Sequence, residues 1–157
     1  MERSLLESVR NQPMSVLGLT MIDDCEDHVR VCLDYCLQIR NKSRDAGRLL
    51  VVQDGKAQSN AISSDVQIEI ASWNSIADSV ALAKKISDLR RAQEWAIVVL
   101  GSIDRPWIES VGRLCDKVYL SIPSGTDQGF HRVRKRLLKL QQAGVRIAGS
   151  YVSREAA

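Results

Sequence analysis

Six short runs rich in β-branched and aliphatic residues, each set off from the next by a longer polar or amphipathic stretch, constrain this chain more than any other feature. They are Ser15–Met21 (SVLGLTM), Arg48–Val52 (RLLVV), Val66–Ala71 (VQIEIA), Ala96–Leu100 (AIVVL), Lys117–Ile122 (KVYLSI) and Val145–Val152 (VRIAGSYV). RLLVV and AIVVL are almost wholly apolar, the mark of strands buried on both faces of a parallel sheet. VQIEIA alternates, so it reads as half buried or at an edge. Strands alternating with helices, joined by right-handed crossovers, give an α/β fold. The expected architecture is a three-layer α/β/α sandwich with a mostly parallel, doubly wound sheet.

The intervening stretches read as helices at the 3.6-residue period. A short one over Glu2–Arg10 ends before Pro13. A second begins after the caps Asp23 and Asp24 and runs to about Arg44, with Val29, Cys32, Leu33, Cys36 and Leu37 as its apolar stripe and Gly47 just past its end. Ser75–Arg91 presents Ile76, Val80, Ala83, Ile86 and Leu89. A short helix covers Trp107–Leu114. Asp127–Ala143 is basic and amphipathic and stops at Gly144. Ligands in such sheets bind outside the carboxyl ends of the strands. The loops of interest are therefore Ile22–His28, Gln53–Ser64, Gly101–Pro106 and Pro123–Gln128.

A length of 157 residues suits one domain, 1–157, and no linker or repeat divides it. A net charge of +3 is too small to imply nucleic acid. No apolar run approaches the roughly 20 residues of a membrane span, and the first residues lack the apolar stretch of a secretory signal. Of the four cysteines, Cys25, Cys32 and Cys36 fall in one expected helix and cannot staple distant segments. With Cys115 they read as reduced, in a cytoplasmic protein.

The order of these segments resembles the MinD/ParA branch of the P-loop ATPases, most of all the cytoplasmic kinase domain of bacterial polysaccharide-export systems. DAGRLLVVQD (Asp45–Asp54) is similar to that family's Gly-Lys-Arg-Val-Leu-Leu-Ile-Asp. WAIVVLGS (Trp95–Ser102) stands where the family has Ile-Ile-Asp-Thr-Pro-Pro, CDKVYLSI where it has Asp-Gly-Val-Leu-Leu-Val, and AGVRIAG where it has Ala-Gly-Val-Arg-Ile-Leu-Gly. The resemblance implies a P-loop NTPase-like fold over nearly the whole chain.

It also exposes departures. A phosphate loop needs glycines that let backbone N–H groups wrap the phosphates, a lysine, and a hydroxyl for Mg²⁺. Laid on this chain, the family's loop puts Cys25 and Asp27 at glycine positions, His28 at the lysine, and Val29 and Arg30 at the hydroxyl residues. Asp23, Asp24, Glu26 and Asp27 repel a polyanion there. The later-strand acid falls on Leu100. Asp54 and Asp104 remain as residual metal contacts, and Arg105 as a phosphate contact. No Tyr-rich tail is present; the chain ends YVSREAA.

Competing readings of other features favour packing or solvation. Cys25, His28, Cys32 and Cys36 fall on roughly one helical face, but they span too far for one tetrahedral ion, so no metal is expected. The basic helix, with Arg132, Lys135, Arg136 and Lys139, reads first as a solvated face and second as a partner surface. An acidic protein surface, such as the acidic loop of another copy, then leads over lipid or nucleic acid. Trp107 anchors such a surface if exposed and packs in the core if not. Ser102, Asp104 and Arg105 read as caps of the following helix, and Ser124–Thr126 as an ordinary loop where the family contacts the base.

Two function classes follow. The first is a non-catalytic pseudo-ATPase, with no catalytic residue and no cofactor, that regulates or scaffolds through a protein partner or self-association. It would reach a membrane complex only peripherally, through that partner. The second is an ATP-binding kinase or ATPase in which His28, Arg30 or Arg105 contacts phosphate. Binding of another small anion without turnover is a third possibility.

Overall fold

The computed structural model describes residues 16–22, 47–54, 67–75, 78–91, 95–123 and 130–153. Its elements run β1 (Val16–Met21), β2 (Gly47–Asp54), β3 (Gln67–Trp73), α1 (Asp78–Arg91), β4 (Trp95–Ser102), α2 (Ile108–Gly112), β5 (Lys117–Pro123), α3 (Phe130–Gln142) and β6 (Ile147–Ser153). All six strands are parallel and form one sheet in the order β3-β2-β4-β1-β5-β6. This is the expected α/β architecture, with the alternating run placed at an edge as β3. The anticipated helices over 2–10 and 23–44 and most of the loop after β2 lie outside the described residues.

Alternation along each strand decides which side chains meet the helices. Val16, Leu50, Val52, Ala96, Val98, Leu100 and Val118 join one buried cluster with Leu82, Ile86 and Leu89 of α1, Ile108 and Val111 of α2, and Leu140 of α3. The links from β3 to β4, β4 to β5 and β5 to β6 all step the same way across the sheet, so right-handed crossovers put the three helices on one face. The alternate residues, Leu17, Leu19, Leu49, Val51, Ile97, Val99 and Tyr119, are at most 2 % exposed, so the sheet is buried on its second face too. That two-sided burial is why the central strands read as unbroken apolar runs.

One expectation needs correction. In α1 the buried stripe is Leu82, Ile86 and Leu89, and Val80 is 75 % exposed. Leu82 and Ile86 lie one turn apart, which turns Val80 to the opposite side of the helix. Gly47 opens β2, and the helix end it was expected to follow lies outside the described residues. The stop at Gly144 holds: its φ is +95°, its N–H donates to the Gln141 carbonyl, and the Val145 N–H donates to the Leu140 carbonyl. This is a Schellman ending, and Val145 and Leu140 are buried in the same cluster.

Candidate functional site at the carboxyl edge

The chain leaves β1 toward β2 on one side, while it leaves β5 toward β6 on the other. Such a reversal opens a crevice above the carboxyl ends of neighbouring strands. Here the reversal falls at β1, β4 and β5.

The local geometry begins with a bulge. The β1–β4 register slips between Leu19 and Thr20, so that Thr20 faces Gly101 and Leu100 has no partner across the pair. Gly101 takes φ +76°, the left-handed conformation that glycine adopts without steric cost. The Thr20 hydroxyl donates to the Gly101 carbonyl at 2.8 Å. The Leu100 carbonyl, released from the ladder, accepts the Trp107 indole N–H at 2.7 Å.

Beyond the strand the chain is tied down by polar contacts. The Ile103 N–H donates to the Met21 carbonyl at 2.7 Å, and the Ser102 hydroxyl lies 3.4 Å from the Ile22 carbonyl. The Asp104 N–H donates to Ser102 Oγ at 3.3 Å. Ile22, Ile103, Leu120 and Val133 close a small apolar cluster beneath this loop.

The anticipated site residues separate as follows. Leu100, at the position of the family's acid, is fully buried in apolar surroundings. Asp104 is exposed in the next turn, and its carboxylate pairs with Arg132 at 3.1 Å. Arg105 lies over the Trp107 ring, 5.6 Å from its centroid. Trp107, not Ser102, Asp104 or Arg105, stands at the N-cap of α2, with no side-chain bond, while the Arg105 carbonyl accepts the Ile108 N–H at 3.2 Å. Trp107 is 2 % exposed and tilts against Trp73 at 6.4 Å. It is therefore not part of an exposed partner surface, because the bulge hands its indole N–H a buried acceptor. Arg136 is half buried and donates through Nε to the Ile103 carbonyl at 3.1 Å, so it fixes α3 to the loop. Arg132, Lys135 and Lys139 are exposed, as anticipated.

Asp54 ends β2, and its backbone pairs with Trp73. Cys25, Asp27, His28, Val29, Arg30 and Ser124–Thr126 lie outside the described residues. Cys115 is buried; its thiol lies 3.6 Å from the Val111 carbonyl, and burial pushes its pKa up to about 12. A thiol so protonated is no nucleophile at neutral pH. Among the described residues, no group of three or more His, Cys, Asp and Glu side chains could hold a metal ion.

Two polar atoms escaped notice in the sequence. Gln53 Oε1, next to the end of β2, and Ser121 Oγ, near the end of β5, are buried with no hydrogen-bond partner. Their only signal was a polar residue at or near the end of an apolar run, Gln53 just after RLLVV and Ser121 within KVYLSI. An open depression of about 480 Å³, lined by Asp116, Lys117, Arg146, Ile147 and Ala148, lies at the amino edge of β5 and β6.

Several solved structures share this arrangement. The kinase domain of Escherichia coli tyrosine kinase ETK superposes with a TM-score of 0.70 at 14 % identity, over 99 % of this chain and 74 % of that one. The VpsO kinase domain gives 0.69 at 18 % identity, over 96 % and 91 %. A ParA family ATPase from Chlorobium tepidum gives 0.59 at 14 % identity, over 92 % and 75 %. The chain has their MinD/ParA-like, P-loop NTPase-like fold. No protein-family model matches it, and a comparison with curated protein sequences finds no match. At this identity the likeness establishes fold; function must be argued from the site.

The fold's usual ligand, a nucleotide with Mg²⁺, does not fit the described part of this edge. Metal coordination here needs oxygen donors. Leu100, two residues before the end of β4, is buried, and the exposed Asp104 carboxylate just beyond the strand is held by Arg132.

Proposed function

We propose that this chain is a cytoplasmic, single-domain pseudo-ATPase that regulates or scaffolds a polysaccharide-export type of kinase system by associating with a protein partner or with its own copies. The observation that carries this reading is Leu100, buried in apolar contact at the end of β4 where the resembled kinases bring an acid to Mg²⁺. The sequence supports it independently, since Cys25, Asp27, His28, Val29 and Arg30 replace the glycines, lysine and hydroxyls of a phosphate loop. Loss of both elements removes the charge neutralisation on which phosphoryl transfer depends. Interaction surfaces survive the loss of such a site because packing, not phosphate chemistry, maintains the fold. In this reading any approach to a membrane complex is peripheral, through the partner; among the described residues no helix is long and apolar enough to cross a membrane.

The test is the melting temperature of the purified protein with Mg²⁺-ATP and Mg²⁺-ADP. A ligand present at a hundred times its dissociation constant adds about 2.7 kcal/mol of stability, a plainly visible shift. No shift at millimolar nucleotide is the expected result. A clear shift that His28→Ala or Arg105→Ala abolishes would overturn the reading in favour of a rewired ATP-binding enzyme.

A further inference from the structure

We propose that the outward face of α3 docks the protein directly on an anionic lipid bilayer, an interaction that needs no protein partner and goes beyond the scaffold reading. Between Phe130 and Gln142 the helix carries Arg132, Arg134, Lys135, Arg136 and Lys139 with His131, and no carboxylate. Val133 and Leu140 are buried and fix which side faces out. Arg136 is spent on the Ile103 carbonyl and Arg132 bridges Asp104. Arg134, Lys135 and Lys139 remain exposed, with no ion pair among the described residues. The field continues past the helix: Arg146 is exposed, and Arg113 is exposed with its stem close to Gly144.

The choice of a bilayer over a protein rests on what this face lacks. A protein interface needs a desolvated anchor, usually aromatic or arginine, in a fitted pocket. Among the aromatic side chains whose burial is described, Trp107, Trp73 and Tyr119 are all buried. None of these three rings is available for the base stacking that nucleic-acid binding without sequence preference exploits. What the face offers is long, flexible cations around a single large apolar side chain, Leu138, which is 52 % exposed. His131, Lys135, Leu138 and Gln142 follow at i, i+4, i+7 and i+11, a stripe along the helix that can lie flat on a plane. Lysine and arginine near a surface of anionic lipid gain attraction without any fixed geometry, and Leu138 can enter the headgroup region while the charges stay at its level.

Co-sedimentation with vesicles of phosphatidylglycerol and phosphatidylcholine, against vesicles of phosphatidylcholine alone, tests this. The expected result is binding only to the anionic vesicles, weakened as salt shortens the Debye length to about 10 Å at 0.1 M. Arg134→Gln, Lys135→Gln and Lys139→Gln together should lower the partition about a hundredfold, at roughly fivefold per cation. These side chains are exposed, so circular dichroism and melting temperature should match the parent chain. Three results would overturn the proposal: no binding to anionic vesicles at low salt, unchanged binding by the triple variant, or equally tight, triple-variant-sensitive binding to duplex DNA or an acidic peptide, which marks a general polyanion surface.

Discussion

Gly18 and Leu100 meet at the centre of the sheet. A Cβ built on Gly18 would come within 3.0 Å of Val118 Cγ2, 3.1 Å of Leu100 Cδ1 and 3.2 Å of Cys115 Sγ. Gly18→Ala therefore overpacks a site walled by strand residues and should destabilise the protein by about 1–3 kcal/mol, measured by urea unfolding with an unchanged m-value. Leu100→Asp asks a different question of the same place. If the edge were an idle metal site, restoring the acid would create Mg²⁺ affinity. Because Leu100 lies in apolar contact, the substitution should instead bury a carboxylate without a partner. We expect a loss of about 3 kcal/mol or more, relieved at low pH where the acid is neutral, and no Mg²⁺-dependent rise in melting temperature. Cys115 shows the same interior chemically. With its thiol held near pKa 12 by burial, it should resist iodoacetamide at pH 8 in the native protein and react once urea unfolds the chain, as peptide mass mapping would reveal.

At the scale of elements, α1 is anchored by one exposed carboxylate. Asp78 Oδ2 accepts the Asn74 N–H at 2.6 Å and the Ser75 N–H at 3.1 Å, and these bonds lower its pKa below the usual value of 3.8. The folded pKa is depressed, so this contribution is present above the unfolded pKa and lost as pH falls through the folded one. Asp78→Asn should thus lower the melting temperature at neutral pH and lose its effect in acid. The strands were legible because burial on both faces writes uninterrupted apolar runs. The C-terminal stop of α3 was legible because only glycine takes φ +95° there without strain. The face of α1 was not: Ile76, Val80 and Ala83 compete with Leu82, Ile86 and Leu89 for the same period, and only packing decides. Trp107 was not legible either. Its burial depends on a bulge that frees the Leu100 carbonyl, and a register slip leaves no mark in composition.

Across the whole molecule, the two edges of the sheet are maintained by different means, and this separates stability from function. At the carboxyl edge, the described loop after β4 is closed by neutral hydrogen bonds, by the small cluster around Val133, and by separate contacts from Arg132 and Arg136 of α3. At the amino edge one ionic staple joins three elements. Asp116 accepts the Val16 N–H at 2.8 Å, its own N–H donates to the Val16 carbonyl at 2.8 Å, and both its carboxylate oxygens accept from Arg90 Nη1 at 2.8 Å. Arg90 also donates to the Leu114 carbonyl at 2.7 Å, so α1, the turn before β5 and the start of β1 share one guanidinium–carboxylate pair. The side chains of Arg90 and Asp116 are 36 % and 27 % exposed, which discounts the Coulomb attraction through solvent screening but leaves the backbone bonds intact. Asp116→Ala strands both Val16 N–H and Arg90, and should destabilise by about 2–3 kcal/mol. Asp116→Asn keeps an acceptor for Val16 and should lose only about 1 kcal/mol. Vesicle binding should be unchanged in both variants at temperatures where they stay folded, since α3 presents its cations independently of that staple. Equal losses for the two substitutions would mean that charge, not the Val16 bond, holds this edge together.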